Sequence, residues 1–234
     1  MTIFGTDISD HNARLTIAQV KAAGLQFATA RALSYPFQGS TPLMVEDPSY
    51  AGWRDEARAM AFPFACYVLF HNYFPVRDQV TLLGQVIGDK KIAVLIDAEP
   101  DGGSNPSMPF LEECYDTIKA RGMSPVPLYY PNWFWGSEGS PNLAVKNWLL
   151  VSSHYGANPK GSAADVYAAG GGDAHWPGWA AYGGLTPVVG RFGSQIQVAA
   201  CRSICGRGEQ SDRRRSLWSP DTFTAAVRRA MLCR

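Results

Sequence analysis

The stretch Lys91-Ile-Ala-Val-Leu-Ile-Asp-Ala-Glu-Pro100 carries five consecutive apolar residues, Ile92 to Ile96, followed by two carboxylates. Such a run fits a strand buried on both faces, as in a parallel sheet covered by helices. Residues two apart on a strand point to the same side, about 6.6–7 Å apart along the chain. Asp97 and Glu99 are therefore expected to face one rim together. Two close acids suit hydrolysis of a glycosidic bond. One keeps its proton and donates it to the leaving oxygen, while the other stays ionised and stabilises the oxocarbenium-like centre or acts on water. The competing reading is a pair that caps the following Pro100-Asp-Gly-Gly103 loop or binds a cation.

On either side of this strand, short apolar runs alternate with amphipathic stretches, the pattern of a parallel α/β architecture. Strands are predicted at Ile3 to Ile8, Leu25 to Ala30, Phe64 to Phe70, Ile92 to Ile96, Val126 to Tyr130, Trp148 to Ser152, Trp179 to Tyr182 and Gln195 to Val198. Helices are predicted at Ile17 to Ala23, Tyr50 to Ala61, Gln79 to Gly88 and Phe110 to Ala120, with Gly24 and Gly122 as terminators. After Tyr130 the spacers turn rich in Pro, Gly, Ser and Asn, and loop connections are expected. Gly170, Gly171 and Gly172 read as flexible loop glycines rather than a phosphate cradle, because no helix start is visible behind them. The pattern gives about five βα units and then about three strands with poor or absent helices. At 234 residues this suits one α/β barrel domain.

A net charge of +1 supplies no electrostatic reason to expect nucleic acid or an anionic membrane as partner. No uninterrupted run of about 18 apolar residues is present, so membrane insertion is not expected. The N-terminus has neither a basic leader nor an apolar signal core, so synthesis in the cytoplasm without a signal peptide is expected. Five scattered cysteines, Cys66, Cys114, Cys201, Cys205 and Cys233, argue against a disulfide framework and lack the spacing of a zinc site. From Arg202 onward there are eight Arg and no Lys. Residues 201–234 therefore read as an Arg-rich tail with a terminal helix over Pro220 to Leu232, beyond a catalytic barrel over residues 1–200. The tail fits a solvated basic segment, with wall targeting as the alternative.

A third acid, Asp7 in Phe4-Gly-Thr-Asp7-Ile-Ser9, also lies at the end of a strand, and strand ends of a barrel meet at one rim. Asp10 reads as a helix cap. His71 ends the third strand and would share that rim, as a substrate contact or as a structural hydrogen-bonding group. Seven Trp and ten Tyr, many in loop-like stretches, suit either stacking on sugar rings or core packing.

Together these motifs resemble glycoside hydrolase family 25, the Chalaropsis-type lysozymes that include many phage endolysins. The resemblance spans about residues 3 to 198. It rests on Gly5-Thr-Asp7-Ile-Ser9, Arg31, Tyr67 to His71, Leu95-Ile-Asp97-Ala-Glu99, Pro127-Leu-Tyr-Tyr130 with Trp133 and Trp135, His154-Tyr-Gly156 and Gly193-Ser-Gln195. It implies an incomplete TIM-like (β/α)5β3 barrel that cleaves the β-1,4 bond between N-acetylmuramic acid and N-acetylglucosamine. The implied partner is the peptidoglycan glycan strand. A monomeric phage or prophage endolysin, acting on the wall after release and needing no metal or organic cofactor, is the resulting expectation. Carried onto this chain, Glu99 is the general acid, Asp97 positions or stabilises the transition state and Asp7 orients or assists. Arg31, Tyr67, His71, Tyr129, Tyr130 and Trp133 are the implied substrate contacts. One departure stands out: the family supplies a further Asp shortly after its last barrel strand, and Gln195 to Gly208 contains no acid. Glu209 or Asp212 could fill that role only if the tail folds back over the rim. A wall-binding barrel with weak catalysis and a hydrolase of another N-acetylated polysaccharide are the alternatives.

Overall fold

The computed structural model describes residues 2–155, 161–192 and 198–201, with only the backbone described at 124–126 and 198–201. Eight strands close into a barrel: β1 (Ile3–Ile8), β2 (Phe27–Arg31), β3 (Phe64–Leu69), β4 (Ala93–Asp97), β5 (Ser124–Tyr129), β6 (Leu149–Ser153), β7 (Val189–Arg191) and β8 (Val198–Cys201). From β1 to β7 each strand runs parallel to the next. The last strand, β8, is antiparallel to both β7 and β1. Helices α1 (Ile17–Ala22), α2 (Tyr50–Ala59), α3 (Val76–Ile87), α4 (Met108–Ala120) and α5 (Asn132–Ser137) follow the first five strands in turn. The architecture is the incomplete (β/α)5β3 barrel expected from the sequence.

The helices form where their buried faces require. Tyr50, Trp53 and Ala57 line one side of α2, and Leu111, Cys114, Tyr115 and Ile118 one side of α4. Thr16 caps α1 by accepting from the Gln19 amide, and Glu56 on α2 accepts from the Ile17 and Ala18 amides, locking the two helices together. Gly24 and Gly122 terminate α1 and α4 in the left-handed region, as predicted. Val94, Ile96 and Ala98 join the apolar layer beneath the helices, so the alternate residues Leu95 and Asp97 turn to the barrel interior. The β4–β5 register shifts between Val94 and Ile96, where Pro127 offers no amide to the ladder.

The later half differs from expectation. No strand forms over Trp179 to Tyr182: Pro177–Trp179 is a single 3-10 turn, and Tyr182 only bridges back to Leu185. The seventh strand is Val189–Arg191 instead. The spacers after Tyr130 also contain short helices, α5, α6 (Ala163–Ala169) and α7 (Gly172–His175). The glycine run is therefore not a loose loop, because Gly171, at φ 113°, caps the start of α7.

Aromatic packing fills the flank that has no long helix. Trp176 and Trp179 meet edge to face with ring centroids 4.8 Å apart, and Tyr167, Phe192 and Phe4 continue the cluster. A Cβ on Gly178 would lie 2.0 Å from the Trp176 ring and one on Gly190 2.2 Å from it, so only glycine lets both segments close on that indole. The predicted strand start at Gln195, the Gly193-Ser-Gln195 motif, Cys205 and Cys233, the terminal helix and the region of the late acid lie outside the described residues.

Candidate active site

Asp7 near the end of β1, Asp97 closing β4, Tyr129 closing β5 and Arg191 closing β7 converge at the C-terminal rim, where barrel enzymes place their chemistry. In the ladder, Asp97 pairs with Leu69 on one side and with Tyr129 on the other, and Arg191 pairs with Ser153. Arg191 donates from Nη2 to Asp7 Oδ2 and from Nη1 to Asp97 Oδ2, the latter at 3.4 Å. Its guanidinium carbon lies 4.2 Å from the centroid of the Tyr129 ring. Burial disfavours the arginine's charge. The two carboxylates and the electron-rich ring face offset that loss of water.

Glu99 follows Asp97 at a bend just beyond the strand and is half-buried. Burial first, and the charge of Asp101 second, push its carboxyl from 4.5 to about 7. Burial also raises the Asp97 carboxyl well above the usual carboxylate range, followed by repulsion from Glu99 and Asp101. Arg191 works against that rise on Asp97 through the 3.4 Å contact. Among the described residues Glu99 has no ion-pair partner. The Oδ1 atoms of Asp7 and Asp97 are buried and accept no hydrogen bond among the described residues. The cluster can hold a proton on Glu99 to near neutral pH, beside two carboxylates that contact Arg191, an arrangement that general acid catalysis can use.

The sequence-predicted contacts separate into two groups. Tyr67 and Tyr129 face the rim. Burial and then the Asp97 charge keep the Tyr67 phenol protonated, and Tyr129 donates to Ser153 Oγ at 3.1 Å. Trp133 is 60% exposed at the start of α5 and is open to a ligand. The other three have different employment. Tyr130 is fully buried against Phe134 on the helix side of the barrel, because it follows Tyr129 in the alternation. Arg31 is held by Asp10 and by Asp47, its Nε donating to Asp47 Oδ2 at 2.9 Å. Asp10, expected as a helix cap, spends its carboxylate on that arginine. His71 is 1% exposed, stacked on Tyr35 at 4.1 Å, with Nε2 3.3 Å from Asp101 Oδ2. Burial lowers its pKa against the opposing pull of Asp101, and its contact with that residue packs it against the loop after β4 rather than in solvent.

Two site residues escaped the reading from sequence. Arg191 stands alone among apolar neighbours in Val188-Val-Gly-Arg-Phe192, and that isolation of a cation was its one available signal. Tyr155 is 44% exposed, and its phenol is raised by burial and by the nearby charges of Glu99 and Asp97. With Trp133, Ser153, His154 and Tyr182 it lines a cleft of about 460 Å³.

No family model matches the sequence, and no curated protein matches it. Solved structures do match the fold. A family GH25 lysozyme from Aspergillus fumigatus superposes with a TM-score of 0.60 at 15% identity, covering 86% of this chain and 94% of that one. The catalytic domain of an endolysin from bacteriophage P40 of Listeria monocytogenes gives 0.61 at 15% identity, covering 87% and 94%. The modular Cpl-1 endolysin, in complex with a peptidoglycan analogue, gives 0.53 at 13% identity, covering 89% and 56%. The chain therefore has the fold of the family 25 lysozymes.

Proposed function

We propose that this chain, built on the fold of the family 25 lysozymes, is a glycosidase of peptidoglycan that cleaves the β-1,4 bond on the N-acetylmuramic acid side. The observation that carries the reading is the meeting of Asp7, Asp97 and Glu99 at one barrel rim, with Glu99 retaining its proton to about pH 7. Glu99 donates that proton to the glycosidic oxygen as the bond breaks. Asp97, held ionised by its contact with Arg191, faces the positive charge that develops at the anomeric carbon, directly or by orienting the substrate's acetamido group. Asp7 accepts from Arg191 and assists in holding Asp97.

A neutral glycan with N-acetyl groups suits the mixed lining of the cleft. Trp133 and Tyr155 offer ring faces, and Ser153 and His154 offer polar atoms. A phage or prophage origin, with action on the wall after release from the cell, fits the same reading. The test is reducing-sugar release from purified walls by the parent and by Glu99→Gln. Turnover by the parent and at least about a hundredfold loss in the variant are expected, the scale of losing a general acid. Equal release by both chains, or wall binding without any product, overturns the assignment.

A further inference from the structure

Arg191 is the residue of the rim that hydrolysis of a glycan does not by itself call for. It brings one guanidinium onto carboxylates from two different strands, Asp7 of β1 and Asp97 of β4. Tyr129 of β5 backs it with its ring face. Arg191 itself is 7% exposed, so the contacts are made away from bulk water, where charge placement matters most.

Among the described residues, the remaining titratable groups facing Asp97 are acids or phenols. Glu99 and Asp101 repel its charge from the loop behind β4. The phenols of Tyr67, which is buried, and of Tyr155, which is partly open, come from β3 and from the segment after β6; burial raises both, and the same Asp97 charge adds to the rise. The cation on β2, Arg31, is engaged by Asp10 and Asp47. Buried acids left to themselves share protons, and neither is then a dedicated donor. A cation that contacts one of two neighbouring acids breaks that tie.

We propose that Arg191 is a positioning residue that fixes negative charge on Asp97 and Asp7 and so leaves the proton of the acidic cluster on Glu99. The inference rests on the glycosidase reading for its catalytic meaning, but not for its electrostatics. Arginine suits the task because its planar fork reaches two carboxylates at once, whereas a lysine ammonium is a single point charge.

The test uses carbon-13 NMR titration of the Asp and Glu carboxyls in the parent, Arg191→Gln and Arg191→Lys, with pH profiles of wall hydrolysis alongside. In Arg191→Gln the Asp97 midpoint rises by about 1–3 pH units, the usual effect of removing an adjacent arginine. The Glu99 midpoint falls, because its neighbour is no longer charged. The acidic limb of the rate profile moves up with Asp97, and kcat falls more than KM changes. Arg191→Lys lies between the two and decides the matter if the glutamine variant does not fold. A merely structural role lowers the rate by one factor at every pH and leaves both midpoints in place, which overturns the proposal. If the midpoints move as stated while the parent releases no sugar, the glycosidase reading fails and the charge-fixing role of Arg191 stands.

Discussion

Arg31 donates from Nε to Asp47 Oδ2 at 2.9 Å, while the same aspartate accepts from the Asp10 and Ser49 amides. This places Arg31 in a structural clamp between β2 and the chain leading into α2. Asp47 is fully buried, so truncating Arg31 to Ala leaves its carboxylate without a cation, held only by the two amides. A loss of about 3 kcal/mol is expected by denaturant unfolding, at the low end for broken buried pairs because Arg31 keeps some solvent contact. The substrate KM of the folded fraction should change little. A large rise in KM with unchanged stability would return Arg31 to the substrate.

Gly190 tests the aromatic wedge. Its backbone is not in the left-handed region, so the obstacle to a side chain there is the Trp176 ring, 2.2 Å from an added Cβ. Gly190→Ala should cost about 1–3 kcal/mol from overpacking. Trimming the indole in Trp176→Leu should make the alanine much less costly, a coupling that a double-mutant cycle measures. Strict additivity of the two substitutions would mean that Trp176 is not what Gly190 accommodates.

The Glu99 carboxyl, raised to about 7 from 4.5, makes stability depend on pH in a defined direction. The folded chain holds this proton more tightly than the unfolded chain, so stability falls as pH rises from 4.5 to about 7 and levels above that. Glu99→Gln removes this contribution. Relative to the parent, the variant should gain nothing at about pH 4 and on the order of 1–3 kcal/mol at about pH 8. Activity should fall along its basic limb near 7, where Glu99 loses its proton. Asp101→Asn should move that limb down by removing a like charge. A limb that moves up instead would show that Asp101 does not act on Glu99 by repulsion.

Trp133 is exposed and lies at the edge of the cleft beside Tyr155. If it stacks on a sugar, Trp133→Ala should raise KM about 2- to 10-fold, the worth of an aromatic contact, with kcat and melting temperature nearly unchanged. An unaltered KM would assign the indole to another surface role.

The early βα units were legible because their strands are short, mostly apolar runs, unbroken in β3 and in β4 as far as Ile96, and their helices repeat apolar residues at helical spacing. Most of the observed boundaries, such as Ala93–Asp97 against Ile92 to Ile96, differ by one or two residues. The acids were legible for the same reason, since Asp97 and Asp7 stand at the ends of two such strands. The seventh strand was not, because Val189–Arg191 is three residues long and includes a glycine. The segment Trp179 to Tyr182 had the stronger strand signal, but Trp179 is drawn into the aromatic cluster. Tyr129 and Tyr130 are adjacent and alike in sequence; only the observed register sends one to the rim and the other under α5. Charge pairing that spans the barrel, such as Arg191 with Asp7, leaves in the sequence only an isolated cation, with nothing to name its partner.

The most direct measurement of the central claim is mass spectrometry of peptidoglycan digested by the parent chain and by Glu99→Gln. Fragments ending in reducing N-acetylmuramic acid from the parent, with none above background from the variant, are the expected result. Reducing N-acetylglucosamine ends, cleaved stem peptides, or the same fragments from both chains would contradict a muramidase that works through Glu99.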